Sequence, residues 1–328
     1  MSIATGVGSL PGTDVREAVR VVLGELPDLP HLPELPARGA VADLTGRSTA
    51  VVAELGFDLQ PAGWRLTGAP GVDQRRARSM LGEDLDALEE LAQGHRGELK
   101  VQVAGPWTLA ATVERPRGDR LLADVGARRE LAQALAEGIG DHVADLARRL
   151  PGAELLVQVD EPALPAVLAG AVPTASGFHR HRTVDVPIAS EALEWVFAAI
   201  RDAGATPLAH CCAADVPVAL LRGAGAAGVS VDLAVLAADG YDALGAALDD
   251  GDRVLLGVVP ATDPPRAPEE RSVADRVLRF LDMLGLDPDQ VGDQLVLTPA
   301  CGLAGASASY AREALRLVRA GAARLTEG

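Results

Sequence analysis

Residues Glu154 to Pro162 read ELLVQVDEP. Leu155, Leu156, Val157 and Val159 form a short, almost unbroken apolar run, which then stops at Asp160, Glu161 and Pro162. A run of this length suits a strand buried on both faces, as in a parallel sheet. Seven more runs of the same kind flank it. They are IATGVGS from Ile3, FDLQPAGW from Phe57, KVQVAGPW from Lys100, TPLAHCC from Thr206, GVSVDLA from Gly228, RVLLGVVP from Arg253 and QLVLTPACG from Gln294. Segments with apolar residues at helical spacing separate most of them: Arg128–Leu150, Ser190–Gly204, Ser272–Gly285 and Ala308–Leu325. Eight strands alternating with helices predict an α/β protein folded as a single (β/α)8 TIM barrel. A doubly wound sheet with a small second domain is the other arrangement of such units. Leu26 to Pro36, LPDLPHLPELP, carries four prolines and is read as a loop after strand one that borders the barrel mouth.

The totals set limits. A chain of 328 residues that is 48% hydrophobic can bury a substantial core, here of aliphatic side chains because aromatics make up 3%. The net charge of −16 argues against nucleic acid or an anionic membrane as partner. No apolar run approaches the ~18 residues of a membrane span. The N-terminus MSIATGVGSLPG has neither a basic region nor a long apolar one, so a cytoplasmic location is expected. Cys211, Cys212 and Cys301 are odd in number and cannot form a disulfide framework.

Polar residues that otherwise avoid the strands collect at their C-terminal ends, where barrels of this kind place their sites. Gly8-Ser9, Gly105-Pro106-Trp107, Asp160-Glu161, His210-Cys211-Cys212, Asp232 and Cys301 all lie there. On an extended chain His210 and Cys212 point the same way and Cys211 points away. With Cys301 at the matching level of strand eight and Asp232 on the strand next to His210, these residues make a four-ligand set of the kind zinc accepts. Cysteines that are merely small buried apolar residues are the competing reading. Asp232 could equally be a capping residue.

Six stretches together, in order, resemble the catalytic, C-terminal barrel of cobalamin-independent methionine synthase. GSLP at Gly8–Pro11 is similar to that family's GSFP, and AGPWTLA at Ala104–Ala110 to its TGPVT segment. VQVDEPAL at Val157–Leu164 resembles IQIDEPAL, His210-Cys211-Cys212 resembles its H-x-C, and TPACGL at Thr298–Leu303 resembles NPDCGL. GVSVD at Gly228–Asp232 is similar to the strand bearing its glutamate ligand.

The resemblance implies a Zn2+ site made by His210, Cys212, Asp232 and Cys301, where the thiol of homocysteine is methylated to give methionine. It implies that Asp160 holds the substrate ammonium and Ser9 its carboxylate end. Trp107 is read, from its place alone, either as stacking on a flat donor or as a wall of the barrel mouth. The small-molecule donor is expected to be methyltetrahydrofolate or a methylcorrinoid such as methylcobalamin, and a corrinoid or accessory protein is a candidate partner.

The chain also departs from the family pattern. Residues 1–328 are expected to be one catalytic barrel, without the family's N-terminal barrel. The fourth ligand is Asp232 rather than Glu. The stretch after strand seven, GVVPATDPP, has no histidine where the family has one that assists methyl transfer, and Asp263 is the nearest polar substitute. The family's second acidic residue for the ammonium has no counterpart near QPAGW. A donor whose leaving group needs no proton would suffer least from the lost histidine. Two other readings remain open on the same fold. One is a metal-free decarboxylase of the uroporphyrinogen type. The other is a non-catalytic protein that binds zinc or a corrinoid.

Among weaker signals, GAGAAG (Gly223–Gly228) follows a helix and precedes a strand, the reverse of a dinucleotide fingerprint. FHRHR (Phe178–Arg182) is expected to be an exposed loop within reach of the mouth.

Overall fold

The computed structural model describes residues 2–266 and 268–326. The chain runs β1 (Ile3–Ala4), α1 (Val15–Glu25), α2 (Leu44–Val51), β2 (Gly56–Gln60), β3 (Gly63–Thr67), α3 (Val72–Leu91), β4 (Gly97–Ala104), α4 (Pro106–Thr112), α5 (Val125–Arg149), β5 (Ala153–Asp160) and α6 (Leu164–Leu168). It continues through α7 (Val186–Asp202), β6 (Thr206–Cys211), α8 (Val218–Gly223), β7 (Gly228–Asp232), α9 (Ala238–Asp249), β8 (Arg253–Val259), α10 (Glu270–Leu284), α11 (Pro288–Val291), β9 (Leu295–Pro299) and α12 (Ala308–Thr326). Seven strands form one sheet in the order β1-β9-β8-β7-β6-β5-β4, every pair parallel. Among the described residues no helix is long and apolar enough to cross a membrane.

Seven of the eight expected strands are staves of this TIM-barrel-like sheet. The run from Phe57 is not. It forms a separate antiparallel hairpin, β2 with β3, in register from Gly56 opposite Thr67 to Gln60 opposite Gly63. Pro61 and Gly63 explain the reversal: Gly63 takes φ +127°, which a side chain would resist.

The eighth stave is instead the proline-rich segment. Leu32 N–H donates to Lys100 O (2.9 Å) and Lys100 N–H to Pro30 O (2.9 Å), joining it to β4. Glu34 N–H donates to Gly8 O (3.2 Å) and Leu10 N–H to Glu34 O (2.8 Å), joining it to the chain just after β1. Its prolines have no N–H to give, so it cannot build a regular ladder. It is held by these few bonds and by Leu29, Leu32 and Leu35, all buried. The expected mouth-side loop is therefore part of the barrel wall.

Apolar side chains fill the space between strands and helices, while Leu29, Leu156, Leu208, Leu255 and Val296 form a separate cluster, one from each of five staves. Lys100, Gln102, Gln158, His210, Ser230 and Thr298 are polar and buried. Helix starts are fixed locally: Asp14, Asp43 and Asp124 accept backbone N–H bonds from the first turns of α1, α2 and α5.

Candidate active site and metal centre

The strand ends place the side chains. β5 and β6 pair with Asp160 opposite His210, so a carboxylate and an imidazole emerge at the same level of adjacent staves. Cys212 follows the last residue of β6, and Cys301 follows β9 by two residues. The two sulfurs approach to 3.2 Å. Ligand atoms of His210, Cys212 and Cys301 all lie within 4.8 Å of one another. Cys211, between the two ligand candidates, turns into the apolar core.

His210 Nδ1 lies 3.0 Å from Ser230 Oγ on the next stave. A Nδ1–H donated there leaves the Nε2 lone pair for a metal, the usual way a ligating histidine is oriented. The Cys301 thiol donates toward Cys212, which pulls the Cys212 thiol below its ordinary pKa and pushes that of Cys301 up. Two soft thiol donors and one imidazole, half open to a cavity, fit Zn2+ and do not fit a hard cation such as Mg2+. Asp232 lies outside this trio. Its Oδ1 accepts the Ala234 N–H at 2.9 Å, so the carboxylate is turned into its own loop.

His210, Cys212 and Cys301 share a cavity of about 200 Å3 with Ser9, Glu34, Leu44 and Asp160. Asp160 Oδ1 accepts 2.7 Å from Gln158 Nε2, whose amide also donates to Val7 O (2.9 Å). Burial raises the Asp160 carboxyl pKa, and the nearby His210 and Lys100 oppose that shift. Glu34 is also buried, and burial pushes its carboxyl to about 7 against the pull of Arg47. Lys100, fully buried, donates from Nζ to Val7 O (2.9 Å) and Gln102 Oε1 (3.0 Å). Desolvation brings its ammonium down to about 7. The cavity therefore offers two carboxylates beside a soft-metal trio.

The family model described as the catalytic domain of cobalamin-independent synthase matches residues 91–324. The chain belongs to the cobalamin-independent synthase family. Among curated proteins none matches the chain. Among solved structures it is similar to a B12-independent methionine synthase from Shewanella sp. W3-18-1 in complex with selenomethionine, with a TM-score of 0.63 at 14% identity. That similarity covers 99% of this chain and 97% of the other. An AP endonuclease of family 2 from Brucella melitensis is more distant, at a TM-score of 0.44 and 12% identity over 94% of this chain and 98% of that one.

Against the synthase pattern, several residues stand elsewhere than expected. Trp107 does not line the cavity. It opens α4, its Nε1 donates to Ala189 O (3.1 Å), and Arg128 stacks on its ring at 5.8 Å, on the α5–α7 side. Glu161 does not line the cavity either. Its carboxylate receives Trp107 N–H (2.9 Å), Thr108 N–H (2.7 Å) and Thr108 Oγ1–H (2.7 Å), which caps α4. Asp263 is occupied as well: Ser307 N–H and Oγ–H bind its two oxygens and hold its carboxyl below the usual range.

A second buried carboxylate beside Asp160, which has no counterpart near QPAGW, comes from Glu34. It had no sequence signature, because it sits in a proline-rich segment whose placement only the folded barrel shows. His181 is buried against Asp119 at 3.2 Å, while His179 is exposed. His31 is buried in the wall with neither ring nitrogen partnered, and it is not among the cavity residues.

Proposed function

We propose that this synthase-family protein methylates the thiol of homocysteine to give methionine, on a zinc ion held by His210, Cys212 and Cys301. The observation that carries the reading is one cavity in which this trio faces Ser9, Glu34 and Asp160. Homocysteine has a thiol, an ammonium and a carboxylate, and the cavity has a matching group for each. Bound Zn2+ would supply a Lewis acid that lowers the pKa of an acceptor thiol, ordinarily ~8.5, so that the nucleophile exists at neutral pH.

The chain's own residues do the rest. Asp160 and Glu34 receive the ammonium, a productive use of two otherwise costly buried charges. Ser9 meets the carboxylate end. Ser230 holds the His210 ring in the ligating orientation. Asp232, expected as a fourth ligand from the resemblance, is assigned to its loop, which leaves a coordination position for the incoming thiol.

Methyl transfer from a tetrahydrofolate needs a proton for the departing amine. Apart from His210, no histidine lines the cavity among the described residues, and Asp263 is committed to Ser307. A methylcorrinoid, whose leaving group needs no proton, is therefore placed first as donor, and methyltetrahydrofolate second. A decarboxylase of the uroporphyrinogen type needs arginines at the mouth, and among the described residues none lines this cavity.

The test is metal content followed by turnover. Protein purified without chelator is expected to carry about one zinc per chain. It should form methionine from homocysteine faster with methylcobalamin than with methyltetrahydrofolate. Absence of metal, or of methionine with either donor, would overturn the reading.

A further inference from the structure

Glu34 is backed by a buried ionic chain that the reaction itself does not require. Arg47, on α2, places Nε 3.5 Å from Glu34 Oε1 and Nη1 2.5 Å from Asp84 Oδ2 on α3. Asp84 is fully buried and also receives both Nη1 and Nη2 of Arg38, each at 2.7 Å. The Arg47 and Glu34 side chains are only 7% and 8% exposed. Two guanidinium and two carboxylate groups thus lie in line, neutral as a set. The order of the chain matters. The planar fork of Arg38 satisfies Asp84 at both oxygens, so Asp84 fixes the far end of Arg47 without consuming its charge. The near edge of Arg47 then faces Glu34. Glu34 rides on a proline-rich stave with few backbone bonds, so the stave alone does not hold its carboxylate in place.

We infer that Arg47, clamped by Asp84, is the positioning residue that aims Glu34 into the cavity and so makes the site selective for thiols bearing an ammonium group. The inference rests on the methyl-acceptor reading above. Asp84 and Arg38 line no part of the cavity, so their effect on a ligand must pass through Arg47 and Glu34.

The test compares two thiols on the zinc-loaded protein by calorimetry: homocysteine, and 4-mercaptobutanoate, which lacks the amino group. The native protein is expected to favour homocysteine. Arg47→Met should weaken homocysteine binding by about tenfold while changing 4-mercaptobutanoate binding by less than about twofold. Arg47→Lys should recover part of the loss. The double variant Arg47→Met/Glu34→Gln should bind homocysteine no worse than Glu34→Gln alone, because a residue acting only through Glu34 adds nothing once Glu34 is neutral. Asp84→Asn, with Arg47 still present, gives the same comparison if Arg47→Met does not fold, and should also lower the preference. Equal weakening of both thiols, or additive losses in the double variant, would show a merely structural Arg47 and overturn the inference. A native protein with no preference between the thiols would overturn the acceptor reading and the inference with it. A native preference that survives Arg47→Met would overturn the inference alone.

Discussion

Cys301 Sγ lies 3.2 Å from Cys212 Sγ although 89 residues separate them in the chain. Two strand ends that are remote in sequence supply one pair of soft donors, and His210 completes it. His210→Ala, Cys212→Ser and Cys301→Ser are each expected to abolish stoichiometric zinc, read by elemental analysis. Ser230→Ala, which only releases the His210 ring, should weaken zinc binding by about tenfold or more. Asp232→Ala should cost less metal affinity than loss of any of the three donors. The opposite ranking would return Asp232 to the ligand set.

Glu34 sets a pH window for the acceptor. Its carboxyl, pushed up to about 7, is ionised above that pH and neutral below it. Preference for homocysteine over 4-mercaptobutanoate should therefore rise as pH passes upward through about 7. Lys100 titrates in the same range, so Glu34→Gln is the control that must flatten the profile. For stability the sign reverses. A raised folded-state carboxyl pKa means that Glu34 disfavours folding increasingly as pH rises from its ordinary 4.5 to about 7. The Glu34→Gln protein should melt higher than the native one at pH 8, and an unchanged melt would contradict that account.

Glu161 is a structural carboxylate next in the chain to the cavity carboxylate Asp160. It accepts three hydrogen bonds at the start of α4 and is fully buried. Glu161→Ala strips the first turn of its acceptor and leaves buried N–H groups unpaired, so it should cost about 2–3 kcal/mol in a denaturant titration. Zinc content of the folded fraction should be unchanged, whereas loss of metal would place Glu161 in the site.

The wall at the proline-rich stave is tightly packed. A Cβ at Gly6 would sit 2.2 Å from His31 Cε1, inside a ring that is 1% exposed. Gly6→Ala is expected to destabilise the fold by roughly 1–3 kcal/mol, seen as a lower melting temperature. A neutral substitution would mean that His31 moves freely, contrary to the packing of the eighth stave.

Seven strands were readable because parallel strands buried on both faces leave unbroken apolar runs. The run from Phe57 resembles them, yet Pro61 and Gly63 fold it back on itself outside the barrel. Short apolar runs do not by themselves say which sheet they join. His210 and Cys212 were readable from their two-residue spacing on a strand. Trp107 was not, because its position after β4 says nothing of which way the ring turns once α4 begins. Glu34 and Arg47 carry no motif, and their meeting depends on how α2 and the proline-rich segment dock.

By itself the sequence determined the strand–helix alternation, the C-terminal strand ends as the place of the candidate site, and the family. Each depends on local periodicity and short ordered motifs, which survive without knowledge of the packing. Only the tertiary structure decided that a proline-rich segment serves as the eighth stave and that Glu34 joins Asp160 over the same cavity. These are contacts between segments far apart in the chain. Barrel closure and burial fix them, and no residue pattern along the chain encodes them.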